Sequence, residues 1–282
     1  MLRDVPTANR GRMTLSRDKL AELDAFLIAL NRASADAILP LFRADHGLEN
    51  KLDGGFDPVT EADKGAERAI RALIAARYPD HGVIGEEYGE DRPDAEFVWV
   101  LDPVDGTRAF IAGLPLWTTL VGLRHAGAPV LGSIGQPYLE EIYIGGPATG
   151  SRLISRAGET ALRVRPCPKL TEAIICTTDP AILTGPELGS WTQVRAAARL
   201  ARLGLDAYGY AMVAMGKMDL ALDTGLKVWD VEAVIPVIQG AGGIVTDWNG
   251  RPARSDSGQF AFAGDPACLE EALATLKWSA AP

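Results

Sequence analysis

Cysteine, histidine and positive charge are scarce in this chain. Of 282 residues, 3 are Cys and 3 are His, and 28 Lys+Arg face 37 Asp+Glu. Cys167, Cys176 and Cys268 are odd in number, widely spaced and form no CxxC pair. That excludes a disulfide framework or a zinc ribbon and fits a reducing cytoplasm. His46, His81 and His125 show no ligand spacing and read as structural or exposed. The formal charge of −9 repels phosphate backbones and anionic headgroups, which argues against non-specific binding to nucleic acid or membrane. No run reaches the roughly 20 apolar residues that a bilayer span needs. A GxxxxGK[ST] loop is missing, which argues against a nucleotide-triphosphate enzyme. No Ser/His/Asp or Cys/His set is visible to form a covalent intermediate. Arg3, Arg10 and Arg12 flank no apolar segment, so a secretory signal is not expected and residues 1–13 read as a flexible tail.

Apolar residues, by contrast, make up 47% of the chain, enough for a large core. The length suits one large domain or two ordinary ones packed together. After Ser16, the positions Leu20, Leu23, Leu27, Leu30, Ile38 and Leu41 fall on one helical face, and Pro40 kinks or ends that helix. Residues 46–58, rich in Gly and Asp, read as a turn or mobile loop. Thr60 caps a second helix with Glu61 and Asp63 in its first turn, stopped by Pro79. Strands are expected at 83–84, 97–101, 118–123, 130–134 and 141–144, the last two joined around Gln136-Pro137. The second half alternates, with strands at 173–177, 219–222 and 243–247. Its helices are expected at 187–203, 207–215, 231–240 and 266–277. This pattern predicts layered α/β structure in two closely packed lobes, residues 14–150 and 151–282.

The most informative stretch is Trp99-Val-Leu-Asp102-Pro-Val-Asp105-Gly106-Thr107-Arg108. An apolar strand runs into two carboxylates three residues apart. Pro103 stiffens the turn, Gly106 permits close backbone approach and Thr107 opens a helix. The carboxyl end of a strand is where α/β proteins place ligands, and amides at a helix N-terminus favour an anion such as phosphate. Asp63, Glu86 and Asp230 stand at comparable junctions. Each alone has an ordinary reading: a first-turn acid, a solvated turn residue, a helix cap. Collected in one place, they would repel and raise one another's pKa. A hard divalent cation removes that conflict, and oxygen-only ligands point to Mg2+ or Mn2+ rather than zinc.

Asp57-Pro-Val-Thr-Glu-Ala-Asp63, Gly85-Glu86-Glu87, Asp102-Pro-Val-Asp105-Gly-Thr107 and Trp229-Asp230-Val-Glu-Ala resemble, in order, the signature blocks of the inositol monophosphatase superfamily. The glycine-rich Gly240-Ala-Gly-Gly243 belongs to the same pattern, and the resemblance spans nearly the whole chain from about residue 16. It implies an αβαβα sandwich and a Mg2+-dependent, lithium-sensitive phosphomonoesterase, usually a homodimer, with two or three ions per site. By the same resemblance, Glu86, Asp102 and the Val104 carbonyl hold one ion. Asp102, Asp105 and Asp230 hold the second, and Glu86 shares a third with water. Asp63 and Thr107 would position or deprotonate the attacking water, with Glu86 counted among the catalytic residues, and the Gly106 and Thr107 amides would hold the phosphate. The N-terminal lobe then carries most metal ligands, and the C-terminal lobe carries Asp230 and the substrate side.

Segments 105–117, 136–137, 205–210 and 226–230 look most like the histidinol-phosphate phosphatase branch. That likeness implies hydrolysis of L-histidinol phosphate to L-histidinol and phosphate, a late step of histidine synthesis. Leu205, Thr118 and Trp229 depart from the branch pattern. Asp206 and Asp223 would suit a leaving group that carries an ammonium; their ordinary readings are a helix cap and a strand-end turn. Asp105 and Asp230 also count on the substrate side. Arg108 either binds substrate or braces the acids by an ion pair. Trp117, Tyr208 and Tyr210 read as core or wall residues. An inositol-1-monophosphate or broad sugar-phosphate phosphatase is the runner-up. A nucleotide 3′-phosphatase would want more basic residues than Arg108 and Lys227, and a non-catalytic metal- or phosphate-binding module is the remaining alternative.

Overall fold

The computed structural model describes residues 15–44, 48–50 and 58–281. The tail expected at 1–13 and most of the loop expected at 46–58 lie outside them. Helix α1 (Arg17–Ile38) begins where the Ser16 hydroxyl accepts from the Lys19 amide at 3.1 Å. It ends in a 3₁₀ turn at Leu39–Leu41, where Pro40 cannot continue the ladder. Leu23, Leu27 and Leu30 are fully buried, each worth roughly 1.5–3 kcal/mol of transfer free energy. A short ribbon, β1 (Leu48–Asn50) with β2 (Pro58–Thr60), leads into α2 (Glu61–Arg77), which packs Ile70 and Ile74 into the same core.

Eight strands follow: β3 (Gly82–Gly85), β4 (Gly89–Asp91), β5 (Phe97–Asp105), β6 (Thr118–His125), β7 (Ala128–Gln136), β8 (Glu141–Gly146), β9 (Gly150–Ser155) and β10 (Gly158–Ala161). They form one sheet in the order β10-β9-β8-β7-β6-β5-β3-β4, antiparallel except between β3 and β5. The short α3 (Thr107–Ile111) separates β5 from β6. The second sheet, β12-β11-β13-β15-β14, uses β11 (Ile174–Thr177), β12 (Leu200–Leu203), β13 (Leu220–Thr224), β14 (Ile244–Thr246) and β15 (Gln259–Ala263).

Alternation along the small sheet sorts its two faces. Ala221, Phe260 and Phe262 face α5 (Asp206–Ala214) and α7 (Val234–Gly240), which also cover Leu120, Ile134 and Tyr143 of the large sheet. Leu220, Leu222, Ala261 and Ala263 face α4 (Gly185–Ala197) and α8 (Pro266–Leu276) through Trp191 and Leu269. With α1 and α2 outside the large sheet, the layers run α, β, α, β, α, the expected sandwich. The α7 layer approaches the large sheet closely. A Cβ on Gly132 would lie 2.0 Å from the Ala233 carbonyl oxygen, so only glycine leaves room there.

Three local expectations are corrected. The helix expected over 187–203 stops at Ala197, and Leu200–Leu203 pairs in parallel with Ile174–Thr177. The alanine-rich stretch is locally helical in pattern, but pairing in the sheet overrides that preference. The helix expected over 231–240 is two pieces, α6 (Val228–Val231) and α7. Pro236 has no N–H to sustain one continuous helix. Asp230 therefore sits inside α6 rather than before a helix. Strands β1, β2, β4, β9, β10 and β15 were not anticipated; β4 and β10 are short, polar and exposed, without an apolar alternation to mark them, and β1 falls in the stretch expected as a loop.

Candidate active site

The acidic residues converge from separate elements near the carboxyl ends of β3 and β5. Asp63 is the third residue of α2 and nearly fully buried. Its Oδ2 accepts from the Thr60 amide at 2.8 Å and from the Thr60 hydroxyl at 2.5 Å, a capping box that fixes the carboxylate. Glu86 follows β3, where its amide donates to the Leu101 carbonyl at 3.2 Å, one residue before Asp102.

Asp102 and Asp105 need a further device, because residues three apart on a regular strand point to opposite faces. A bulge supplies it: Asp102 pairs with Leu120 and Asp105 with Thr118, so one extra residue is accommodated at Pro103-Val104. The Thr119 hydroxyl holds the bulge by donating to the Pro103 carbonyl at 2.8 Å. Asp102 accepts from the Val104 amide at 3.1 Å, and the Thr107 hydroxyl donates to the Val104 carbonyl at 3.1 Å. Asp105 accepts from the Thr118 hydroxyl at 3.3 Å and from the Ala207 amide at 2.8 Å. Gly106, at φ 82°, turns the chain into α3. Asp230 is held by the Lys227 amide at 2.6 Å.

Asp102, Asp105 and Asp230 each offer a carboxylate oxygen, and these oxygens all lie within 4.8 Å of one another. Burial first, then repulsion from Glu86, Asp105, Asp230 and Asp63, raises the Asp102 pKa well above the carboxylate range. Asp105 is raised likewise by burial and by Asp206 and Asp230. Burial pushes Asp230 up to about 7, with Glu86 adding to it. Burial also raises Asp63. An all-oxygen set so crowded fits a hard divalent cation, which would hold the carboxylates ionised.

Beside this cluster opens a cavity of about 410 Å3, lined among others by Thr107, Arg108, Leu114, Asp179, Ile182 and Asp206. Asp206 opens α5 at a φ of 45°. Its carboxylate rests against Gly106, where a Cβ would meet it at 3.2 Å. Burial pushes Asp206 up to about 6, Asp223 adds to it, and the nearby Arg108 guanidinium opposes it. Asp206 is thus the first residue of the helix rather than its cap. Asp223 is fully buried and accepts from the Thr177 hydroxyl at 2.7 Å, the Thr178 amide at 2.8 Å and the Tyr210 hydroxyl at 2.7 Å. Trp117 and Tyr210 are buried in the cores, and Tyr208 is partly buried against Tyr143.

Several contributors had not been singled out from sequence: the Ala207 amide, Asp179, the apolar pair Leu114 and Ile182, and Glu67; Thr118 had been noted only as a departure from the branch pattern. Glu67 alone carried a signal, an acid one turn after Asp63 on the stripe of Ala66, Ile70 and Ile74.

A buried carboxylate cluster at a strand bulge, beside a cavity between the two sheets, fits a divalent-cation site of the kind that metal-dependent phosphatases use. The inositol monophosphatase family profile matches residues 19–280, and the chain belongs to that family. It is 37% identical over 281 residues to the chloroplast bifunctional phosphatase IMPL2 of Arabidopsis thaliana, across 96% of this chain and 80% of the relative. It is 36% identical over 199 residues to a histidinol-phosphatase of Chlorobaculum parvum, across 71% of this chain and 76% of the relative. The solved inositol monophosphatase of Zymomonas mobilis superimposes with a TM-score of 0.82 at 37% identity, covering 93% of this chain and all of that one. No described helix is long and apolar enough to cross a membrane.

Proposed function

We propose that this chain is a Mg2+-dependent phosphomonoesterase that hydrolyses L-histidinol phosphate to L-histidinol and phosphate. One observation carries the substrate reading: the Asp206 carboxylate stands against Gly106 in a cavity that Asp179, Leu114 and Ile182 also line. Carboxylates suit an ammonium, and apolar walls suit a flat imidazole ring. A neutral polyol has no group that calls for this acid pair. The histidinol-phosphatase of C. parvum among the relatives supports the same reading.

Glu86, Asp102, the Val104 carbonyl, Asp105 and Asp230 are the proposed cation ligands. When bound there, divalent cations neutralise the phosphate and acidify a water molecule. Asp63, held at Oδ2 by Thr60, accepts the proton of the attacking water, and Thr107 orients that water. The Gly106 and Thr107 amides hold phosphoryl oxygens. The water oxygen bonds to phosphorus as the bond to the alcohol oxygen breaks; the alcohol oxygen takes a proton from solvent water, and Asp63 returns its own to solvent. Asp206 meets the substrate ammonium, backed by the charge of Asp223, while Arg108 favours the ionised form of Asp206.

Phosphate release measured with Mg2+ on histidinol phosphate, inositol-1-phosphate and fructose bisphosphate tests this reading. Histidinol phosphate is expected to be fastest by a wide margin. Equal rates would favour a broad sugar-phosphate phosphatase, a faster inositol-1-phosphate reaction the inositol reading, and no release at all a binding module. We further propose a cytoplasmic homodimer, in line with the three buried free cysteines for the compartment and with the family for the dimer; light scattering checks the latter.

A further inference from the structure

Glu67 is an acid that the proposed chemistry does not use, and it lies fully buried on α2, one turn after Asp63. Both of its oxygens are committed to a single short segment. Oε2 accepts from the Glu87 amide at 2.8 Å, and Oε1 accepts from the Tyr88 amide at 3.2 Å. Oε1 also accepts from Arg71 Nε at 2.8 Å, and the same guanidinium donates to the Gly89 carbonyl at 2.5 Å. The preceding residue is glycine for a steric reason, since a Cβ on Gly85 would lie 2.0 Å from Glu67 Oε1. Glu86 sits between these contacts, its own amide tied to the Leu101 carbonyl at 3.2 Å.

We propose that Glu67 is a positioning residue that sets cation affinity by fixing the backbone on which Glu86 is mounted. The inference rests on the reading of Glu86 as a cation ligand. A buried carboxylate is costly unless several donors satisfy it, and here two of the three, the Glu87 and Tyr88 amides, belong to the turn that carries Glu86. A single helix face thus holds Asp63 at one turn and clamps the Glu86 turn at the next. Glu67→Gln replaces one acceptor oxygen with an NH2 that faces a backbone N–H, so at least one tie is lost. Losing an outer partner of a ligand typically weakens metal binding by about 10–100-fold.

The probe is Mn2+, titrated into full-length protein and followed by the paramagnetic resonance signal of the free ion, with substrate absent. Asp219→Asn serves as the structural control. Asp219 is a buried carboxylate at the opposite end of β13 from Asp223, and it ties the Ile174 amide and Arg165 in the same manner. Glu67→Gln is expected to weaken Mn2+ binding about tenfold or more, whereas Asp219→Asn lowers Tm with affinity intact. Gly85→Ala, which drives a methyl into the same carboxylate, is expected to match Glu67→Gln, and it decides the question by the same criterion should Glu67→Gln not fold. Wild-type affinity in the folded variants, with Glu86→Gln weakened, would overturn the proposal. Unchanged affinity in Glu86→Gln itself would instead remove the underlying reading of Glu86.

Discussion

The Asp105 carboxylate accepts a hydrogen bond from the Ala207 amide at 2.8 Å, so a strand of the large sheet caps the first turn of the helix that carries Asp206. The candidate cation centre and the proposed substrate wall are therefore one hydrogen-bonded unit. Asp105→Asn keeps an oxygen for that amide and removes one of the crowded charges. We expect turnover to fall about a thousandfold, several kcal/mol at ~1.4 kcal/mol per tenfold. With a chelator present, Tm should rise by about 2 °C, because like charges no longer repel. Calorimetry with and without chelator separates the two effects, and a lower Tm in chelator would contradict the crowding argument.

Asp206→Asn tests substrate choice. Asn tolerates the positive φ at this position, so the helix start should survive. A charge-assisted hydrogen bond is worth about 1.5–3 kcal/mol, which predicts a rise of about tenfold or more in KM for histidinol phosphate. Glycerol phosphate, lacking an ammonium, should respond less than about twofold. Equal responses in steady-state kinetics would mean that Asp206 does not read the cation.

Gly132→Ala places a methyl 2.0 Å from the Ala233 carbonyl oxygen. Overpacking of this kind costs about 1–3 kcal/mol, occasionally more. The α6–α7 junction must move away from the sheet, carrying Asp230 with it. Urea unfolding should show the loss of stability, and Mn2+ titration a weaker site in the same protein. A variant with wild-type stability would show that the interface relaxes at no cost.

His81 gives a pH dependence separate from the acidic cluster. It stacks on Tyr78 at 4.4 Å and Phe97 at 4.8 Å, and its Nδ1 accepts from Trp99 Nε1 at 3.1 Å. Burial, followed by Lys19, lowers its pKa to about 4 from 6.5, while Asp80, Glu96 and Glu22 oppose the shift. The folded state thus resists protonation that the unfolded chain accepts. This contribution is whole above about pH 6.5 and is lost as pH falls toward about 4. The raised carboxylates of the site act in the opposite sense, so the comparison must be between variants. His81→Gln retains an acceptor for Trp99 and cannot titrate. Its unfolding free energy should fall less between pH 7 and pH 5 than that of the wild type, and parallel curves would refute the assignment.

Much of the acidic cluster was legible in sequence because several of its acids sit beside strong local markers. Thr60 caps α2 before Asp63, an apolar strand delivers Asp102, and Gly106 ends the turn after Asp105. Apolar periods predicted layered α/β structure, and the five-layer order came from the resemblance to the family. What escaped depends on contacts between distant segments. The bulge at Pro103 is defined by its pairing with β6, and β12 by its pairing with β11. Asp206 and Asp223 look alike in sequence. One lines the cavity, while the other is enclosed by hydroxyls of Thr177 and Thr178 at the end of β11 and of Tyr210 on α5.

The shared middle layer also fixes when the site can come into being. Asp102 is laid down before the large sheet is complete at Ala161, whereas Asp230 arrives only on the segment that inserts between the two sheets. A chain emerging from the ribosome can therefore pair β5 to β10 long before it owns a cation centre. Contacts this distant in sequence close late and slowly. Cation binding at the proposed centre would thus report the final docking step, because protein that has folded only its large sheet has not yet brought Asp230 to Asp102 and Asp105.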